Sequence, residues 1–247
     1  MPTLSTFDFA LAGWVLLLAY FIRGISGFGS GLVAVPLLAL FLPLTFVVPF
    51  MLVMDFTASA VLGHSNRQQV DWAELKPLIP GSIVGVIAGA TLLLKLDQSA
   101  LLTALGLFVL AFALRSLLYL HGEAPISKLW AWPASLAGGT VSALFGTGGP
   151  PYVIYLSHRI RDKGVFRATT SLLFLMEGGL RGAVFIATGL LLQKELVLAY
   201  LGGLPILALG LWLGSKVHLG LSNAQMTRLI GALLLLSGGS LLWKAWI

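Results

Sequence analysis

The chain has 247 residues, of which 58% are hydrophobic and 10% charged. A water-soluble domain carries about 25% charged residues, so this composition excludes a globular surface bathed in water and sets most of the chain against lipid or other apolar helices. There is no cysteine, which excludes disulfides and thiolate metal sites, and the net charge of +6 comes from basic residues lying between apolar segments, as the positive-inside rule expects, so neither a nucleic-acid partner nor a cofactor is inferred.

Apolar stretches predict five helical segments in a first half, at about 7–22, 27–42, 45–63, 75–94 and 99–120. Five more follow in a second half, at about 130–145, 149–158, 165–192, 196–214 and 224–246. The longer ones approach or exceed the roughly 20 residues that span a bilayer as a helix. They lack the alternation of a membrane β-barrel, and helices satisfy their own backbone in lipid. The first segment has no basic region before it and no small-residue cleavage site, so it reads as a retained membrane segment. Six tryptophans, Trp14, Trp72, Trp130, Trp132, Trp243 and Trp246, mark the aromatic belt, and the histidines at 64, 121, 158 and 218 fall at segment ends without metal-ligand spacing.

The halves divide as a first repeat over 1–121, a connecting loop over 122–128 and a second repeat over 129–247, within one integral-membrane domain. Phe28-Gly29-Ser30-Gly31 aligns with Phe145-Gly146-Thr147-Gly148, 117 residues further on. Pro80, Gly85, Gly89 and Gly106 align with Pro205, Gly210, Gly214 and Gly231 at a single offset, and Met54-Asp55 aligns with Met176-Glu177. The segment after each glycine motif is short, since twelve helical residues cover about 18 Å of a core about 30 Å thick. The first two segments of each half then form a hairpin that turns inside the membrane while the other three cross, which inverts the halves. If each interrupted pair is instead one broken helix, the halves are parallel.

With His158–Arg167 on the cytoplasmic side, alternation puts Arg67, Lys76, Lys128, Arg159, Arg161, Lys163, Arg167 and Lys216 inside. Lys95, Lys194 and Lys244 fall outside, together with both termini.

Paired glycine interruptions in the two halves of a hydrophobic chain point to a transporter's substrate site. Helix N-termini attract anions through unpaired N–H groups and partial positive charge. The candidate substrate residues are therefore Ser26, Gly27, Gly29, Ser30 and Gly31 at the first motif, and Gly146, Thr147, Gly148, Gly149 and Pro150 at the second. The alternative is close helix packing through small residues. Pro150 and Pro151 suit a first helical turn, where the missing N–H has no intrahelical partner to lose. Arg23, at the edge of the first motif, either meets the anion or snorkels to headgroups; Arg115 snorkels, and Arg167 marks topology or a substrate entrance. Asp55 and Glu177, ionisable at membrane depth, are candidates for proton coupling. Arg181 is four residues after Glu177 and shares its helix face, so it joins the substrate candidates or pairs with Glu177 structurally. Asp55 has no basic partner on its own helix.

The stretches GISGFGSGLVAVPLL (24–38) and SALFGTGGPPYVIYL (142–156), in a duplicated chain of this length, resemble the TauE/SafE family of sulfite exporters. The resemblance covers almost the whole chain. It implies a multi-pass permease with about eight spanning helices in two repeats, moving sulfite, sulfonates and other small anions. The family often carries an asparagine in the region where this chain has Glu177, a departure that leaves the substrate open and is compatible with proton coupling.

The reading is an all-α polytopic membrane protein with two inverted repeats. It acts as a secondary transporter, in the export direction, of a small anion such as sulfite or a sulfonate, with a midplane site at two helix N-termini and alternating access. Its partners are the anion, the bilayer of the cell membrane and, if coupled, protons. The oligomeric state, including a homodimer, stays open. No P-loop indicates direct use of ATP. Two other readings are an intramembrane enzyme using Asp55 and Glu177, which requires the carboxyls to share a proton, and an anion channel.

Overall fold

A computed structural model describes residues 5–26, 29–62, 70–117, 126–147, 149–216 and 223–246. The described chain is all-helical, with no strand among these residues. In order, the helices are α1 (Thr6–Ser26), α2 (Ser30–Leu38), α3 (Leu44–Leu62), α4 (Trp72–Leu75), α5 (Leu78–Lys95), α6 (Gln98–Leu117), α7 (Ala131–Phe145), α8 (Gly149–Arg159), α9 (Lys163–Ala187), α10 (Lys194–Lys216) and α11 (Asn223–Trp246). Five of them, α1, α5, α6, α9 and α10, are long and apolar enough to cross a membrane, and α3 is apolar over Leu44–Ser59. Their outward side chains are large and apolar, Leu18, Ile87, Leu107 and Leu198 among them, and every described tryptophan of the expected belt is exposed. This is a polytopic membrane protein.

Polar contacts define two ends of the bundle. At one end the Lys244 ammonium donates to the Leu40 carbonyl at 2.6 Å, Ser99 Oγ to the Ala245 carbonyl at 2.6 Å, and Gln193 Nε2 to the Thr45 carbonyl at 3.3 Å. At the other end Arg159 meets Glu74, and the Asp71 N–H donates to Thr169 Oγ1. Helices α3, α5, α6, α9, α10 and α11 run between these ends.

The two other long helices, α1 and α7, are placed by their close partners. Helix α1 lies parallel to α10, with Gly13 at Ile206, Tyr20 at Gly210 and Gly24 at Gly214. It therefore enters from the Lys244 end, and α2 returns to that end. Helix α7 lies parallel to α5, with Ser135 at Gly81, Gly139 at Gly85 and Ala143 at Gly89. It enters from the Glu74 end, and α8 returns there. The two glycine motifs thus sit at the tips of hairpins that enter from opposite ends.

Glycine makes these pairings close. An added Cβ at Gly139 would lie 2.6 Å from the Ser82 carbonyl oxygen, and one at Gly24 would lie 2.7 Å from that of Leu211. A third close pair joins α6 to α11, where the Gly106 and Gly238 backbones face each other. Such contact between backbones is how membrane helices gain packing where hydrophobicity alone does not drive them together.

The expected segments match these helices with local corrections. Helix α1 continues to Ser26, so Arg23 and Gly24 are helical, and α2 begins at Ser30. The segment expected to reach 192 leaves the helix at Ala187 and turns at Gly189, whose φ is +78°. Helix α4 was not anticipated; Asp71 nucleates it by accepting from the Ala73 and Glu74 N–H groups at 2.9 and 3.2 Å. Most of the expected connecting loop over 122–128 lies outside the described residues, as do, elsewhere in the chain, His64, Arg67, His121 and His218.

Candidate functional site

The two motifs adopt the same backbone at the same aligned position. Gly29 has φ +94° and Gly146 has φ +66°, values that side-chain-bearing residues rarely adopt. Gly29 caps α2 without a side-chain hydrogen bond, and Gly146 closes α7 by donating its N–H to the Ser142 carbonyl at 2.8 Å. The tips also touch: a Cβ added at Gly31 would lie 2.8 Å from the Gly146 carbonyl oxygen. Helices α2 and α8 therefore start beside one another inside the bundle, each short enough to span about half a membrane.

At the first tip a cation and a carboxylate are paired, although Arg23 Nε has no hydrogen-bond partner among the described residues. Asp55 Oδ1 on α3 accepts from Arg23 Nη1 at 2.6 Å, Ser30 Oγ at 2.7 Å and the Tyr20 hydroxyl at 2.9 Å. Arg23 Nη2 donates to Ser59 Oγ at 2.7 Å. Asp55, without a basic partner on its own helix, finds one on α1. Arg23 is buried, which removes the snorkelling alternative, and its charge is matched by Asp55.

The second tip is different. Arg181 Nη1 on α9 donates to the Ser142 carbonyl at 2.7 Å and to Ser142 Oγ at 2.9 Å, placing a cation at the C-terminal end of α7. The alternative ion pair between Glu177 and Arg181 is not formed. Instead Glu177 Oε1, Arg181 Nε and Thr147 Oγ1 are buried with no hydrogen-bond partner among the described residues. Their residues are 5–6% exposed. Glu177 lines a cleft of about 210 Å³ between α5 and α9, with Ser82, Ile79, Ile83, Leu173, Met176 and Leu180. Tyr152 on α8 lies in the field of both Glu177 and Arg181 and gives its hydroxyl to Ser82 Oγ at 2.7 Å.

With this geometry in view, the sequence matches the family model described as "Sulfite exporter TauE/SafE" over residues 12–241. The chain belongs to the TauE/SafE family. It is also 29% identical over 198 residues to a protein of Comamonas testosteroni described as "Probable inner membrane transporter protein TsaS", an alignment covering 79% of this chain and 82% of that one. No solved structure gives a significant match. This TauE/SafE protein is a membrane transporter, and its fold is the multi-pass helical one that the resemblance implies.

Among the candidate residues, the structure gathers Arg23, Ser30 and Asp55 at one tip, sets Gly31 against Gly146, and brings Arg181 to the end of α7 beside Gly146. Thr147 and Pro150 are buried there, and Gly149 faces the Phe174 ring. Gly27, Gly148 and the side chains of Ser26 and Arg167 lie outside the described residues. Asp55 and Glu177 share no hydrogen bond with one another. Sequence reasoning missed Tyr20, Ser59 and Ser142. Tyr20 lies three residues before Arg23 and Ser59 four after Asp55 on the same helix faces, but each serves the charge on the other helix, Tyr20 donating to Asp55 and Ser59 accepting from Arg23, which only the packing of α1 on α3 reveals. It also missed Glu74, which sits between the long segments. Glu74 Oε1 accepts from Arg159 Nη2 at 2.6 Å and lies 3.6 Å from Lys128, while Oε2 accepts from Arg159 Nε at 3.1 Å and the Tyr155 hydroxyl at 2.8 Å.

Proposed function

We propose that this protein is a secondary transporter of a small anion of the sulfite or sulfonate class, working in the export direction that the family's description carries. The site is the meeting point of the two hairpin tips. The observation that carries this reading is the buried guanidinium of Arg181 beside that meeting point, with no carboxylate paired to it among the described residues. A cation at membrane depth with no ion-pair partner in contact is costly unless a ligand answers it. The N-termini of α2 and α8 add partial positive charge at the same level. Gly29, Gly31 and Gly146 allow backbone approach, and the Thr147 hydroxyl and the backbone N–H groups of Ser30 and Gly149 supply donors, with Gly27, Gly148 and Ser26 completing the motifs.

The halves 1–121 and 129–247 act as inverted repeats that rock against each other and open the tips to each side in turn. The Glu74 end is cytoplasmic, since Lys76, Lys128, Arg159, Arg161 and Lys216 cluster there, and both termini face away from the cytoplasm. The location is the cell's inner or plasma membrane.

The test is flux of sulfite, small sulfonates and small carboxylates in reconstituted liposomes. Saturable uptake of one class, lost in Arg181→Gln, is expected. Conductance without saturation would make the protein a channel, and no flux of any anion would overturn the reading.

A further inference from the structure

The energy source for such a transporter is approached through the contrast between two acids at membrane depth, half-buried Asp55 and buried Glu177. Asp55 Oδ1 accepts from an arginine and two hydroxyl donors. Glu177 is 6% exposed, and its Oε1 has no partner among the described residues. The groups facing Glu177 explain what it can do. On α9 itself Arg181 is committed to Ser142. From α8 comes Tyr152, whose hydroxyl is given to Ser82. From α5 the cleft wall supplies Ile79, Ser82 and Ile83, with no titratable group. From α3, Phe56 and Leu52 face the next turns at Gly178 and Gly182. From α4, Glu74 is held by Arg159 and Lys128, and Asp71 caps its own helix. No described side chain in this shell donates a hydrogen bond to Glu177 Oε1.

We infer that Glu177, not Asp55, carries a proton in the transport cycle, and that proton and anion move together in one direction. The inference rests on the transporter reading. Charge counting over the four groups Arg23, Asp55, Glu177 and Arg181 supports it. Arg23 and Asp55 cancel in every state. Empty, with Glu177 ionised, Arg181 and Glu177 also cancel. Loaded, with a proton on Glu177 and a monoanion at Arg181, the cluster is again neutral. Each half-loaded state leaves one uncompensated charge in a low-dielectric interior, which disfavours its passage through the rocking step. A bound anion one helical turn from an ionised Glu177 is repelled, so anion binding and protonation reinforce each other. With this stoichiometry an inward proton gradient draws the anion inward, and export runs when the internal anion excess is greater than the proton ratio.

The experiment uses the full chain in liposomes with radiolabelled methanesulfonate, whose charge is constant across the pH range, with sulfite in parallel and a pH-sensitive dye in the lumen. Expected are uptake with lumenal acidification, indifference to an imposed potassium–valinomycin potential, and accumulation approaching tenfold per pH unit of gradient. Glu177→Gln should retain exchange at equal anion concentrations while losing proton co-movement, and Glu177→Asp should shift the pH profile. Flux of either anion that alkalinises the lumen or leaves its pH unchanged overturns the inference and leaves the transporter reading standing. So does proton co-movement that persists in Glu177→Gln. Failure of both anions to move overturns the transporter reading and this inference with it.

Discussion

At the scale of single residues, the two acids at membrane depth differ in how many donors surround them, and that difference sets opposite expectations. Removing one partner of a buried, hydrogen-bonded ion pair leaves an uncompensated charge and costs about 3–5 kcal/mol. Asp55→Asn, which strips Arg23 of its counter-charge, should therefore lower the thermal midpoint in detergent sharply, and the double replacement Arg23→Met/Asp55→Leu should recover part of the loss. Glu177→Gln removes an acid with an unanswered buried oxygen and should leave the midpoint unchanged or raised. A fall equal to that of Asp55→Asn would show that Glu177 is held in the folded state by a partner. Sequence spacing found both acids, because a carboxylate inside an apolar run is conspicuous. It did not find that Arg23 belongs to Asp55, 32 residues along the chain. Their meeting depends on α1 turning back into α2 within the bundle, a fact of tertiary structure. The same limit applies to Arg181: its spacing from Glu177 suits a pair, but the carbonyl at the end of α7 competes for the guanidinium and holds it.

At the scale of helices, the glycines divide into those that allow contact and those that do not need to be glycine. Gly139→Ala would press a methyl against the Ser82 carbonyl, and Gly31→Ala would press one against Gly146. Overpacking of this kind costs about 1–3 kcal/mol. Gly179 and Gly202 have nothing within 4 Å of an added Cβ, so alanine there should be neutral or mildly stabilising. Melting curves of the four variants test the division, and Gly31→Ala should additionally impair flux because it parts the hairpin tips. Helix positions were legible in the sequence because the apolar runs are long and the glycine motifs interrupt them clearly. Hairpin and broken helix could not be separated, since both leave the same short apolar segment after the break. Helix α4 was missed because its four residues carry too little periodicity to stand out from a loop.

At the scale of the molecule, the Glu74 end is fastened by charge while the opposite end is joined by single donors to backbone carbonyls. Burial alone would raise the Glu74 carboxyl, but the bonds from Arg159 and Tyr155 and the charges of Arg159 and Lys128 outweigh it, and the net direction is down from 4.5. The folded-state value being the lower one, this cluster stabilises the fold above 4.5 and the contribution fades as pH falls through the folded value. Glu74→Gln should thus be less stable than the parent at neutral pH, with the gap closing in acid. A gap that stays constant down to low pH would mean that Glu74 acts through packing alone. The fastening ties α8 to α4, elements from different halves of the chain, so loosening it should favour states open at that end.

The pairing of α1 with α10 also has a consequence in time. At the ribosome's pace of about 5–20 residues per second, α10 emerges on the order of ten to thirty seconds after α1 is complete. Through that interval the glycine face of α1 has lipid for a neighbour. Arg23, a charged side chain at membrane depth, would be hardest to retain there, yet its counter-ion on α3 is synthesised within seconds. The early-made salt bridge can hold the first hairpin in shape until the last third of the protein arrives to cover it.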